Sequence, residues 1–375
     1  MTFKEEKHDI LRLVFVLSDR KLLFAAAGLF LVGLFSIFSA SLGMEKHAGV
    51  FVIRQAIWGT VAFAAYTAVL KIGYARLLEM AYRLYGVALL LLFSVLILGH
   101  VSRGAQSWIG LAGLRLQPSE LTKVALALLL AKHLCRHPVE GLKDLAGVLA
   151  LSGISLILVL AQPDLGSAIV LSVMVFTALY AAGTPVRYLW GLAGLSLFAF
   201  PVAWHFLKEY QKLRLMVFLN PYIDPLGAGY NVIQSRIAVG SGRLLGKGFM
   251  MGTQSKLGFL PEPHTDFIFS VFAEEFGFLG GVALLGLFCF LLWRIIAAGV
   301  KARDLRGKIL VASIAGWIWF QAVEGMAMSM GIAPVTGLPL PFLSYGGSSL
   351  LALGMALGLA QSVFLENPKP DDDLF

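Results

Sequence analysis

Ten stretches of about 20 predominantly apolar residues recur along this chain, and that recurrence decides what it can fold into: a helix needs about 20 such residues to cross a bilayer core. They lie at residues 22–42, 50–70, 80–100, 118–135, 145–162, 166–183, 187–206, 267–293, 309–331 and 346–365 of a 375-residue sequence. The composition agrees. Hydrophobic residues make up 58% of the chain and charged residues 14%, against about 25% charged in soluble domains. Mean hydropathy is +0.81. An ordinary soluble enzyme, a disordered chain and a collagen-like chain are excluded. The expectation is an all-α polytopic membrane protein with about ten transmembrane helices in one integral-membrane domain, 1–375. The first stretch holds 21 residues without a charge, too long for the apolar core of a signal peptide, and reads as an uncleaved anchor. Pro163 argues that 145–162 and 166–183 are two helices rather than one.

Lys and Arg are unevenly distributed between the connections. With the N-terminus inside, 18 fall on the inner side, and four fall in short outer loops: Lys46, Arg54, Arg103 and Arg115. That asymmetry places both termini in the cytoplasm, with 1–21 and 366–375 as cytoplasmic segments. A long extracytoplasmic loop, 207–264, then joins helices seven and eight. It carries seven basic residues against Glu209, Asp224 and Glu262. Contact with anionic lipid headgroups and an anion-attracting vestibule both fit this excess. The net charge of +8 reflects these loops. No basic stripe interleaved with aromatics points to nucleic acid. Cys135 and Cys289 lie far apart and form no disulfide or metal pattern.

A charge at membrane depth is costly and marks a functional or pairing site. The residues concerned are Glu120, Lys123, Asp164, Asp266, Glu274, Glu275 and Glu324. Glu120 and Lys123 are three apart and share a helix face, so they either neutralise each other or Lys123 pairs with another helix. Asp266 stands where the long loop enters a helix, which suits either an N-cap or a reactive carboxylate. Glu274 and Glu275 suit polar contacts between helices. Glu324 leaves a proton-handling role open.

Segments rich in turn formers and polar residues fall on the outer side: 103–110 (RGAQSWIG), 117–120, 162–167 and 337–349. Irregular backbone at membrane depth survives only against protein or a water-filled cavity. One extracytoplasmic cavity rimmed by these segments is therefore expected. The glycine run from Gly240 to Gly252 fails as a phosphate loop, because Gly248 follows Lys247 where Ser or Thr is required.

Several of these stretches together resemble the SEDS family (shape, elongation, division and sporulation). They are QSKLGFLPEPHTDFIFSVFAEEFGFLGG at 254–281, GLPLPFLSYGGSS at 337–349, RGAQSWIG, QPSELTK and QPDLGSA, in order along residues 20–366. The sequence around Pro-Glu-Pro-His-Thr-Asp, Ala273-Glu274-Glu275 and the short tails favour the cell-elongation branch over the division branch.

The resemblance implies a peptidoglycan glycosyltransferase in the bacterial inner membrane. Its substrate is lipid II, a disaccharide-pentapeptide on undecaprenyl pyrophosphate. It implies Asp266 as the catalytic residue. A carboxylate suits the role, because it can take the proton of a weakly nucleophilic hydroxyl. Departure of pyrophosphate needs positive charge; Arg103, Arg115, Lys123 and Arg214 are candidates by position and charge, and a divalent cation such as Mg or Mn would serve. With less weight, Glu120 and Lys123 organise the cavity floor, Asp164 and Ser344 lie on its rim, and His264 either orients Asp266 or is structural. The implied partners are a class B penicillin-binding protein, which supplies crosslinking, other elongation-complex membrane proteins, and membrane lipid. A lipid II flippase and a non-catalytic scaffold are the competing readings; no repeat of the two halves supports the flippase.

Overall fold

The computed structural model describes residues 18–42, 48–102, 105–111 and 114–366. Arg103 and the outermost parts of both terminal segments lie outside them. Among the described residues, ten helices coincide with the ten apolar stretches: α1 (Arg20–Ser41), α2 (Ala48–Ile72), α4 (Ala81–Leu98), α5 (Pro118–Arg136), α6 (Leu142–Ala161), α7 (Leu165–Ala181), α8 (Val186–Phe206), α12 (Ile268–Val300), α13 (Leu305–Met330) and α14 (Gly347–Leu365). A short α3 (Tyr74–Glu79) links α2 to α4. Seven of the ten are long and apolar enough to cross a membrane, and α7 and the first part of α8 are shorter apolar helices. The tenth, α5, is polar by comparison because it carries Glu120, Lys123, Lys132 and Arg136. It is nonetheless largely buried, so protein rather than lipid surrounds Glu120, Lys123 and Lys132, while Arg136 is exposed at its C-terminal end. α13 and α14 are the other buried helices, and these three form the centre of the bundle.

Two connecting segments hold structure that the sequence reading left irregular. Three short strands, β1 (His100–Ser102), β2 (Ala105–Leu111) and β3 (Leu114–Leu116), form an antiparallel sheet. The loop 207–264 is largely helical, with α9 (Glu209–Leu219), a 3-10 turn at Pro221–Ile223, α10 (Ala228–Ser241) and α11 (Thr253–Lys256).

This outer segment is tied into the bundle at a break in α12. Gly277 sits inside that helix at φ 65° and ψ −163°. The helical hydrogen bonds lost there are replaced by the loop. The N–H groups of Phe278 and Leu279 donate to the carbonyls of Arg243 and Leu244 at 2.8 and 3.1 Å. The carbonyls of Glu274 and Glu275 accept from Lys247 and Gly248 at 3.0 and 2.9 Å. These four backbone groups at the break thus find partners, as burial requires. A side chain at Gly277 would meet the Gly246 nitrogen at 2.3 Å, so only glycine fits. The Glu274 carboxylate adds to the tie, accepting from Lys247 Nζ at 2.6 Å and the Thr253 N–H at 2.9 Å. Glu275 accepts from Ser39 on α1. Both glutamates act as the polar helix contacts expected of them.

At the opposite end of α12, Asp304 caps α13, accepting from the Gly307 N–H at 2.9 Å and from Tyr74 Oη at 3.1 Å. Burial raises its pKa, but these bonds and the Arg306 guanidinium at 2.6 Å overcome that and lower it. A depressed carboxylate contributes stability above its unfolded pKa of about 3.9, and that stability is lost as pH falls below it. Asp304→Ala is expected to cost about 1 kcal/mol, read as a lower melting temperature at neutral pH that converges on wild type in acid.

Candidate active site

Asp266 belongs to the short connection between Pro261 and α12. The N-cap of α12 is Phe267, with no side-chain cap bond, so the capping reading of Asp266 is not met. Its neighbours are fixed by the segment that precedes α14. Tyr345 N–H donates to the His264 carbonyl at 2.9 Å, and Ser344 Oγ donates to the Thr265 carbonyl at 2.7 Å. Ser344 Oγ also accepts from the Leu340 N–H at 2.9 Å. Gln55 of α2 closes the clasp, donating to the Ser344 carbonyl at 3.1 Å and accepting from the Gly346 N–H at 3.3 Å. The His264 ring is packed against Phe51, 4.5 Å between centroids, and against Tyr345 at 5.8 Å. These contacts make His264 and Ser344 the frame that presents Asp266. Gln55 was missed by the sequence reading; its only signal was an amide inside an apolar stretch.

Asp266 faces a cavity of about 140 Å³ that Arg214, Asn231, Glu262 and Val335 also line. Arg214 comes from α9, 5.7 Å from the Tyr210 ring. That helix is docked on the turn after α6, where Tyr210 Oη and Gln211 Nε2 donate to the Pro163 carbonyl at 3.1 and 3.4 Å. Burial pushes the Tyr210 pKa up against the pull of Arg214, which keeps the hydroxyl a neutral donor. Asp164, in the same turn, caps α7 by accepting from Ser167 N–H at 3.0 Å and holds Gln117 Nε2 at 3.3 Å.

Of the cationic candidates, the structure brings Arg214 to the cavity of Asp266. Lys123 is fully buried, 2.7 Å from Glu120 and 5.2 Å from the Trp317 ring. The two charges neutralise each other inside the bundle, the first of the two alternatives. Arg115 lies in β3 opposite Gly110.

The sequence profile of the FtsW, RodA and SpoVE group, described as cell cycle proteins, matches residues 20–368. The chain belongs to this family. Among its relatives, the peptidoglycan glycosyltransferase MrdB of Escherichia coli K12 is 41% identical over 283 residues, 75% of this chain and 76% of that protein. An FtsW from Trichlorobacter lovleyi is 38% identical over 366 residues, 95% of this chain and 96% of its own. In solved structures, a chain of a peptidoglycan synthase complex that coordinates polymerization and crosslinking superposes with a TM-score of 0.81 at 36% identity, covering 93% of this chain and 98% of its own. The rod-shape-determining protein RodA of Thermus thermophilus gives 0.72 at 32% identity over 95% of this chain and 99% of its own. Like other members, this family protein is a multi-pass membrane protein with a helical bundle. Among its described residues, no group of three or more His, Cys, Asp or Glu side chains can hold a metal ion. The positive group at the cavity is the Arg214 guanidinium.

Proposed function

We propose that this chain is a peptidoglycan glycosyltransferase that polymerises lipid II at the Asp266 cavity during cell elongation. The observation that carries the reading is the pairing of a framed carboxylate, Asp266, with a guanidinium, Arg214, on one cavity. The acceptor's 4-hydroxyl loses its proton to Asp266 as its oxygen attacks C1 of the donor's terminal MurNAc. The bond from C1 to the pyrophosphate oxygen breaks, and undecaprenyl pyrophosphate leaves with the electron pair. Attack from the opposite face converts an α-linked donor into a β-linked product. Pyrophosphate leaves without protonation, so one carboxylate serves where inverting glycosidases need two. Arg214 is placed to meet the charge that develops on the leaving group. The family relationship and the basic asymmetry of the loops support a bacterial cytoplasmic membrane location with both termini inside. The likeness to a chain from a synthase complex supports a crosslinking transpeptidase partner.

The test is incubation of the purified protein, bound to a transpeptidase-inactive partner, with labelled lipid II. A ladder of glycan products supports the reading. Transfer of lipid II across vesicles with no ladder supports a flippase instead. On the same substrate, Arg214→Ala is expected to lower kcat/KM about ten- to a hundredfold, the worth of one charge-assisted hydrogen bond. Arg214→Lys should recover part of the loss, as it keeps the charge but not the fork.

A further inference from the structure

The reaction above leaves Glu324 unused. This carboxylate lies in α13, 6% exposed, on the helix face that also carries Trp317 and Gln321. No cation pairs with it in the ion pairs formed among the described residues. One oxygen, Oε1, accepts from the Thr336 hydroxyl. The other, Oε2, has no hydrogen-bond partner among the described residues. A buried acid of this kind is costly unless its bonds do something specific.

What those bonds hold is the wall of the Asp266 site. Thr336 is flanked by two residues that touch it. Val335 lines the Asp266 cavity. Gly337 has a φ of 76°, and a Cβ there would stand 3.9 Å from Asp266 Oδ2. Thr336 thus joins Glu324 to the short stretch of backbone that adjoins Asp266. The far side of that stretch is packed against the first turn of α7, where a Cβ on Gly166 would meet Thr336 Cβ at 3.2 Å and Leu338 Cγ at 2.8 Å. The segment is thus held between close packing on α7 and the Glu324–Thr336 bond to α13. In this low-dielectric setting the bond is stronger than its equivalent in water.

We propose that Glu324 is a positioning residue for the catalytic carboxylate: its hydrogen bond to Thr336 sets residues 335–337 against Asp266 and so fixes where the acceptor hydroxyl meets its base. This rests on the reading of Asp266 as that base. The role requires an acceptor at 324 and a hydroxyl at 336, not a charge. It acts on the geometry of reaction rather than on capture of lipid II.

Five variants test it in the full chain bound to its transpeptidase partner: Glu324→Leu, Glu324→Gln, Thr336→Val, Thr336→Ser and the double Glu324→Leu/Thr336→Val. Glu324→Leu and Thr336→Val are each expected to lower kcat about tenfold, the worth of one positioned bond, with KM for lipid II unchanged. Glu324→Gln and Thr336→Ser keep the bond and should polymerise at close to the wild-type rate. The double variant should be no slower than the worse single, because both remove the same interaction. Melting of each complex is recorded alongside, and rescue by Gln and Ser separates positioning from loss of fold. The inference is overturned if the Leu and Val variants match wild type, if KM rises while kcat holds, or if the losses multiply in the double. Asp266→Asn is run in parallel. If it polymerises normally, the base reading fails and takes this one with it. If it is inactive while the Leu and Val variants are normal, this inference alone fails.

Discussion

Replacement of Lys123 by methionine is expected to leave little folded protein in the membrane. Lys123 is wholly buried, and its ammonium has Glu120 Oε1 at 2.7 Å and the Trp317 ring at 5.2 Å. The pair's net contribution is small, because burying two charges costs about what their attraction returns. Breaking it is different. Methionine fills the space but strands Glu120, 1% exposed, as an uncompensated charge, at a cost of about 3–5 kcal/mol. Against the marginal stability of most domains, about 5–15 kcal/mol, that is a large fraction. The double variant Glu120→Leu/Lys123→Met should recover much of the loss, since an apolar pair of similar volume needs no compensation. The measurement is the melting temperature of detergent-purified protein. A single variant that melts with wild type would remove the pair from the account of the bundle centre.

The same residue shows what the sequence conveyed and what it did not. Its spacing from Glu120 was a sound guide to pairing, because residues three apart on a helix must be neighbours. Its charge and depth suggested a hand on the substrate, but which face of α5 meets the cavity is set by packing against α13, and no local pattern carries that. Most of the helices were legible for the opposite reason, since lipid asks each span for about 20 apolar residues, as seven of the ten supply. In residues 100–116 the strands are three to seven residues long, too short for alternation to stand out from turn composition. Residues 207–264 read as loop because their helices are short and not uniformly apolar. They are held by contacts distant in sequence, such as the bonds from Tyr210 to Pro163 and from Lys247 to Glu274. Asp266 was recognisable at the mouth of a helix, yet the N-cap fell to Phe267. The frame around Asp266 comes from residues about 80 or more positions away, in Ser344 and Tyr345, and from Gln55 in α2. Glu324 stood out as an acid in an apolar helix. Its partner Thr336 lies 12 residues on, across a turn that the sequence did not define.

In the proposed reaction, Asp266 takes the proton of the attacking hydroxyl. Asparagine is nearly the same shape, so the frame built by His264, Thr265 and Ser344 through backbone carbonyls and a hydroxyl has no cause to change. What is lost is the ability to accept a proton, and general-base assistance is worth about 10²–10⁴-fold in rate. The measurement is the initial rate of glycan polymerisation on labelled lipid II by wild type and Asp266→Asn, each bound to the same transpeptidase-inactive partner and matched in melting temperature. The expected result is a product ladder from wild type and a rate lower by about 10²–10⁴ in the variant, with the complex intact. Ladders of equal strength from the two proteins would contradict it.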